Sequence, residues 1–149
     1  MITTEQIKEL REKTGLSVMG CKRALEKSDG DIDKAIEILK EEGALIAQKK
    51  AERELKAGLI ESYIHSTKRI GSLVELRCET DFVSRNEEFK NFAHDIAMHI
   101  AALGPENIDE LLSQPFIKNP NMTIADYVKE KIQKFGENIE IGKFVRLET

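Results

Sequence analysis

The chain has 149 residues, 40% of them apolar and 34% charged, with a formal net charge of -4. A chain this long buries roughly 70% of the surface it exposes when unfolded, so a real core is expected and disorder is excluded. The acidic balance argues against wholesale binding to nucleic acid or an anionic membrane, since both need Lys and Arg in excess on one face.

No stretch approaches the ~18 apolar residues of a membrane span. The first ten residues also lack the basic start and apolar run of a signal peptide, so a cytoplasmic location is expected. Cys21 and Cys78 stand too far apart for a CxxC motif, and each falls on an apolar stripe, which predicts buried free thiols in a reducing compartment.

Residues 1–43 read as three short helices. Thr3 and Gln6 can form a capping box, Ile7 and Leu10 give an inward face, and Gly15 stops the first helix. The second is expected from Ser17 to Ser28, with Val18, Cys21, Ala24 and Leu25 at helical spacing. The third opens at Asp31, carries Ile32, Ala35, Ile36 and Leu39 on one stripe, and is expected to close at Gly43. A bundle of ~40 residues is at the lower limit for independent folding, so it gains by docking on something. Residues 44–56 are rich in helix formers of alternating charge, which predicts a solvated linker helix. Glu52 and Glu54 dilute the positive charge there, so no direct nucleic-acid contact is expected.

From Gly58 the period falls to two. Ile60, Ser62 and Ile64 alternate with Glu61, Tyr63 and His65, and after a turn Val74, Leu76 and Cys78 alternate with Glu75, Arg77 and Glu79, which predicts an antiparallel hairpin. Ser84 and Glu87 are expected to cap a helix bearing Phe89, Phe92, Ala93, Ile96, Ile100 and Leu103 on one face and ending at Gly104. A connection from Gln114 to Met122 leads to a helix capped by Thr123 and Asp126 and ended by Gly136. The last strand is expected to turn Ile139, Ile141, Val145 and Leu147 one way and Glu140, Arg146 and Glu148 the other, with Lys143 breaking the pattern. The predicted class is α+β: a three-helix bundle (1–43), a linker helix (44–56), and a core (57–149) of helices on a three-stranded antiparallel sheet.

Sites for bond chemistry are scarce. His94 and His99, five residues apart, point well over a quarter-turn from one another on a helix and make a poor chelating pair, so both read as surface or half-buried. His65 has no local Ser or Cys partner. The acidic run Asp29 to Asp33 lacks the Gly and Glu placement of a calcium loop, and helix capping explains it. With no glycine-rich phosphate loop and no metal set, the chain is expected to act through surfaces, not as an enzyme, and to need no cofactor.

Thr80-Asp81-Phe82-Val83-Ser84-Arg85-Asn86 stands out, an aromatic beside an acid in a short connection before a helix. Either Phe82 or Val83 folds back on Phe89 as a staple, or Phe82 stands outward as a binding wedge.

GluLeuArgGluLysThrGly (9–15), CysLysArgAlaLeu (21–25), AspIleAspLysAlaIle (31–36), GluLeuArgCysGluThrAspPheValSerArgAsn (75–86) and GlyGluAsnIle (136–139) together closely resemble the bacterial elongation factor Ts family, in the family's order and over nearly the whole chain. The resemblance implies a bundle like a ubiquitin-associated domain, docking on the GTPase elongation factor Tu, and a guanine-nucleotide exchange function in translation elongation. It implies that Asp81 and Phe82 form the wedge near the partner's magnesium site, with Thr80 and Val83 shaping the turn, and that Arg11, Val18 and Met19 touch the partner. Val18-Met19-Gly20 departs from the family's usual Met-Met-Asp. The family's long helical insertion and duplicated core are also missing, since only Gly104 to Leu112 precedes GlnProPheIle (114–117). Short members similar to half of that core pair as homodimers, so a noncovalent homodimer through the C-terminal sheet region is expected, the last strand having no cysteine. The alternative is an adaptor binding a ubiquitin-like protein or RNA without exchange activity.

Overall fold

The computed structural model describes all 149 residues. Its first helix, α1 (Thr4–Thr14), opens on the expected capping box, with Thr3 Oγ1 accepting from Gln6 N and Gln6 Oε1 accepting from Thr3 N, and ends at Gly15 with φ 69°. Ser17 caps α2 (Val18–Lys27), and Asp31 caps α3 (Ile32–Lys50) by accepting from Lys34 N. Leu10, Cys21, Ala24, Leu25, Ala35 and Leu39 bury a six-residue core between these helices. At ~1.5–3 kcal/mol for each fully buried large side chain, so small a core leaves the bundle dependent on its neighbour.

That neighbour is reached by a helix running past its expected end. Glycine at position 43 predicts a stop, yet α3 continues to Lys50 without interruption. Gly43 is buried, and a Cβ placed on it would lie 2.6 Å from Gln133 Oε1 and 3.3 Å from Gln133 Cδ. The missing side chain therefore admits another helix instead of ending this one.

After a turn at residues 51–56, β1 (Ala57–Ile64) and β2 (Ile70–Cys78) form the predicted hairpin, pairing from Ala57↔Cys78 to Ile64↔Gly71. A one-turn helix, α4 (Asp81–Ser84), precedes α5 (Glu87–Leu103). The Ser84–Glu87 capping box does not form. Ser84 belongs to α4, where its hydroxyl donates to Asp81 O at 3.1 Å, and Asn86 caps α5 by accepting from Glu88 N at 2.8 Å. Then come α6 (Ile108–Ser113), a small hairpin of β3 (Pro115–Phe116) and β4 (Asn119–Thr123) where a plain connection is expected, and α7 (Ile124–Phe135), which has the Thr123–Asp126 capping box and ends at Gly136 with φ 73°.

The last strand, β5 (Ile139–Glu148), pairs antiparallel with β2, giving the sheet order β1-β2-β5. One sheet face carries Leu59, Val74, Leu76, Cys78, Ile139 and Ile141 against α5 and α7 in the main core, where Phe89, Phe92, Ile96, Ile100, Ile124 and Ile132 are also buried. Ser72 Oγ donates to Ala97 O at 2.6 Å and Arg146 Nε to Ala101 O at 2.9 Å, fastening the sheet to α5.

β5 departs from the alternation expected of it. The register shifts between Val74↔Phe144 and Leu76↔Ile141, so Gly142 and Lys143 together face Glu75 as a bulge. An added residue in a period-two strand reverses every side chain beyond it. Ile139 and Ile141 thus face the helices while Val145 and Leu147 face away, and Arg146 points inward. Gly142 suits the bulge because a Cβ there would collide with the Glu75 carboxylate. No helix of the chain is long and apolar enough to cross a membrane.

Candidate functional site

The turn between β2 and α5 is built from the inside outward. Cys78 is fully buried and its thiol donates to Thr80 O at 3.3 Å. Burial, reinforced by the nearby Glu137 charge, pushes that thiol up to about 11, which makes it a poor nucleophile at neutral pH. Thr80 then caps α4, its hydroxyl oxygen accepting from Val83 N at 3.4 Å. Within this single turn Val83 points into the core and Phe82 away from it. Of the two placements the sequence leaves open, Val83 takes the inward one, 9% exposed in the cluster containing Phe89, and the Phe82 ring stands outward, 93% exposed. Asp81 and Thr80 are exposed beside it.

A fully exposed phenyl ring leaves on the order of 150 Å² of apolar surface in water, and at about 25 cal/mol per Å² its removal from water is worth several kcal/mol. Nothing in the chain's own packing uses it. A single exposed apolar residue is commonplace. One with an acid at its side, on a capped turn whose neighbouring residue is anchored in the core, has the form of a binding anchor.

The other expected contact residues lie on the helical bundle. Val18 and Met19 occupy the first turn of α2 and are 47% and 77% exposed, and Arg11 is exposed near the end of α1, where its Nε donates to Leu16 O at 3.1 Å. Val18 and Met19 are adjacent exposed apolar side chains, and the Arg11 guanidinium is held at the α1–α2 turn that precedes them. These residues sit on a different part of the fold from Thr80–Val83, and between the two the α1–α2 turn approaches α7, which is in turn tied to the start of α5. A Cβ on Gly15, in the α1–α2 turn, would lie 3.2 Å from Lys134 Nζ. Lys134 in turn bonds Glu88 at 2.8 Å, in the first turn of α5. The ammonium holds the Glu88 carboxyl below the usual carboxylate range, and the helix N-terminus there favours the same negative charge.

Two features escape a reading of the sequence. Glu137 accepts hydrogen bonds from the Thr80 turn, a pairing 57 residues apart that no local pattern announces. The bulge at Gly142–Lys143 places Val145 and Leu147 with Ile60, Ile64 and Leu73 on the sheet face turned away from the helices, and all five are exposed. The cross-strand rows Ser62–Leu73–Val145 and Ile64–Gly71–Leu147 run side by side on that face.

Both histidines are expected at the surface or half-buried; His94 is exposed, but His99 is fully buried, which corrects that reading. Ile117 N donates to its Nδ1 at 3.4 Å, so Nε2 carries the proton and donates to Gln114 Oε1 at 3.0 Å. This neutral imidazole pins the β3 segment to α5, and its burial holds it below the ordinary histidine value. No three His, Cys, Asp or Glu side chains converge in a group able to hold a metal ion.

Comparison with known proteins agrees with the surface-borne reading. The family model Elongation factor TS matches residues 79–149, from the β2–α4 turn to the last strand. Elongation factor Ts of Carboxydothermus hydrogenoformans is 46% identical over 99% of this chain and 89% of its own length. That of Thermodesulfovibrio yellowstonii is 45% identical over 99% and 96%, and that of Alkaliphilus metalliredigens 42% identical over 99% and 89%. The alignment with the first of these runs over 193 positions, 44 more than the 149 residues of this chain, so that relative carries positions this chain lacks. With such identity over nearly all of both partners, the chain belongs to the elongation factor Ts family, translation elongation factors that do not catalyse bond chemistry.

Proposed function

We propose that this chain is a guanine-nucleotide exchange factor that binds the GTPase elongation factor Tu and promotes GDP release. The observation that carries the reading is the 93% exposed ring of Phe82 on a turn anchored by buried Val83. Asp81 stands beside it, and Arg11, Val18 and Met19 offer a second contact surface on the bundle formed by residues 1–43. Exchange needs no bond to be made. A factor that binds the empty GTPase more tightly than the nucleotide-bound form weakens nucleotide binding by the same ratio. Phe82 displaces apolar side chains of the partner, and Asp81 adds negative charge where the nucleotide's magnesium and phosphates are held, so that the partner's hold on GDP loosens.

The chain works as a noncovalent homodimer in the cytoplasm, its two copies meeting through the outer sheet face of Ile60, Ile64, Leu73, Val145 and Leu147. One observation supports this partner: Ile64, Leu73, Val145 and Leu147 are exposed in two adjacent cross-strand rows, with Ile60 further along the same face, an apolar surface that a two-fold axis would set against its own copy.

The test is release of labelled GDP from purified elongation factor Tu with the chain present in catalytic amounts. Phe82→Ala is expected to lower the stimulated rate at least tenfold, as loss of an aromatic anchor costs ~2 kcal/mol or more. An unchanged rate rejects the wedge. Binding without any acceleration of release would instead favour an adaptor.

A further inference from the structure

Phe82 makes no packing contact that could aim it, so its direction is set by the backbone of the turn. That backbone is held from within by buried Val83 and the Cys78 thiol, and from the chain's far end by one carboxylate. Glu137, the first residue beyond the left-handed Gly136, accepts the main-chain N–H groups of Glu79 and Thr80 on Oε1, both at 3.0 Å, and the Thr80 hydroxyl on Oε2 at 2.6 Å. Three donors converge on one carboxylate, and such charge-assisted bonds are roughly twice as strong as neutral ones.

The next residue does the same for the bundle. Asn138 is buried, and its amide donates to Arg53 O at 3.0 Å and Ala51 O at 3.4 Å, just beyond the end of α3. Its main-chain N–H donates to Glu79 Oε2 at 2.6 Å, an oxygen that Arg53 Nη1 also approaches at 3.7 Å. Lys50 Nζ completes the junction by donating to Gly136 O at 2.9 Å. Three consecutive residues, 136–138, therefore fasten the wedge turn on one side and the end of the bundle's long helix on the other.

We infer that Glu137 is a positioning residue for Phe82, acting through Thr80, and that the adjoining Asn138 fixes that turn relative to the helical bundle. The inference rests on the reading of Phe82 as the wedge. A rigidly held anchor pays its ordering cost in folding and not at the moment of binding. Gln at position 137 matches Glu in shape but carries no charge: its oxygen can still accept from the two N–H groups, while its NH2 meets the Thr80 hydroxyl, which must then turn from donating to accepting and already accepts from Val83 N.

The experiment is GDP release from elongation factor Tu measured against rising concentrations of the full chain. Glu137→Gln is expected to lower the plateau rate about tenfold, the scale on which a misplaced group loses effect, while the half-saturating concentration moves less than about twofold. A merely structural loss does the opposite, since a smaller folded fraction raises the half-saturating concentration and leaves the plateau intact; that result would overturn the inference. Should Glu137→Gln fail to fold, Thr80→Val removes the other end of the 2.6 Å bond together with the α4 cap and is expected to lower the plateau at least as far, and Thr80→Ser, which keeps both, restores it. Phe82→Ala in the same series separates the two claims. If it leaves the plateau unchanged, the wedge reading falls; if it abolishes stimulation while Glu137→Gln and Thr80→Val behave as wild type, the positioning role falls alone.

Discussion

Gly43 of α3 packs directly on Gln133 of α7, with only 2.6 Å between the position of an added Cβ and Gln133 Oε1. This approach makes one body of a helix that begins in the bundle and a helix that belongs to the core. Helix propensity alone favours Ala over Gly by about 1 kcal/mol, and the obstructing atom is the far end of a flexible side chain. Gly43→Ala is therefore expected to leave the denaturation midpoint within about 1 kcal/mol of wild type, the propensity gain offsetting displacement of Gln133. Gly43→Leu has no such escape and is expected to cost about 1–3 kcal/mol, as overpacking does. Urea denaturation of the three proteins distinguishes these outcomes.

His99 makes stability depend on pH in a window of its own. Its folded-state value lies below the ordinary 6.5, because burial penalises the charged ring. The unfolded chain then binds the extra proton first, so stability is complete above about pH 7 and falls as pH drops below 6.5, levelling only beneath the lowered folded value. For one proton the slope reaches at most about 1.4 kcal/mol per pH unit. Chemical denaturation at pH 7.5 and 5.5 is expected to show the loss in the wild type, and His99→Gln should flatten it; an equal loss in both would reject the assignment.

Most helix boundaries were readable in the sequence because their signals are local. Thr3 with Gln6, Thr123 with Asp126, and Gly15, Gly104 and Gly136 at helix ends act within one turn of where they stand. Gly43 misleads because glycine serves two ends, stopping a helix and admitting a neighbour, and only the tertiary partner decides which. The β5 faces were misread for a similar reason. Ile139, Ile141, Val145 and Leu147 share one parity, and only the pairing of Glu75 against Gly142 and Lys143 reveals the reversal. His99 was judged by its chemistry when its place in the fold, beside Gln114 and Ile117, came from an element the sequence showed only as a connection. Glu137 stood in the sequence only as part of the GlyGluAsnIle run, and its role could not be read there because its partners are remote in the chain.

Cys78 should be inert while the chain is folded. Its thiol is fully buried and pushed up to about 11, so almost no thiolate is present at neutral pH. Cys21 is equally buried. In a reaction with Ellman's reagent at pH 7.5 the native chain is expected to release little thionitrobenzoate over minutes, and two equivalents appear once guanidinium unfolds it. Prompt reaction of one equivalent in the native state would mean that the turn behind Phe82 opens readily.

The outer sheet face offers the clearest separation of assembly from folding. Leu147 is 72% exposed in the single chain, so a charge placed there costs that chain almost nothing. Buried against a second copy, the same unpaired charge costs several kcal/mol, and two-fold symmetry brings a second into the same interface. Leu147→Asp is thus expected to shift sedimentation from dimer to monomer and raise the dissociation constant at least a hundredfold, while the circular dichroism spectrum is unchanged. Ile60→Asp, on the same face but on β1, should do likewise. Ser62→Asp, in the row between them, tests whether the buried patch reaches across the whole sheet. A Leu147→Asp chain that remains dimeric would place the contact elsewhere, on an edge of β1 or β5.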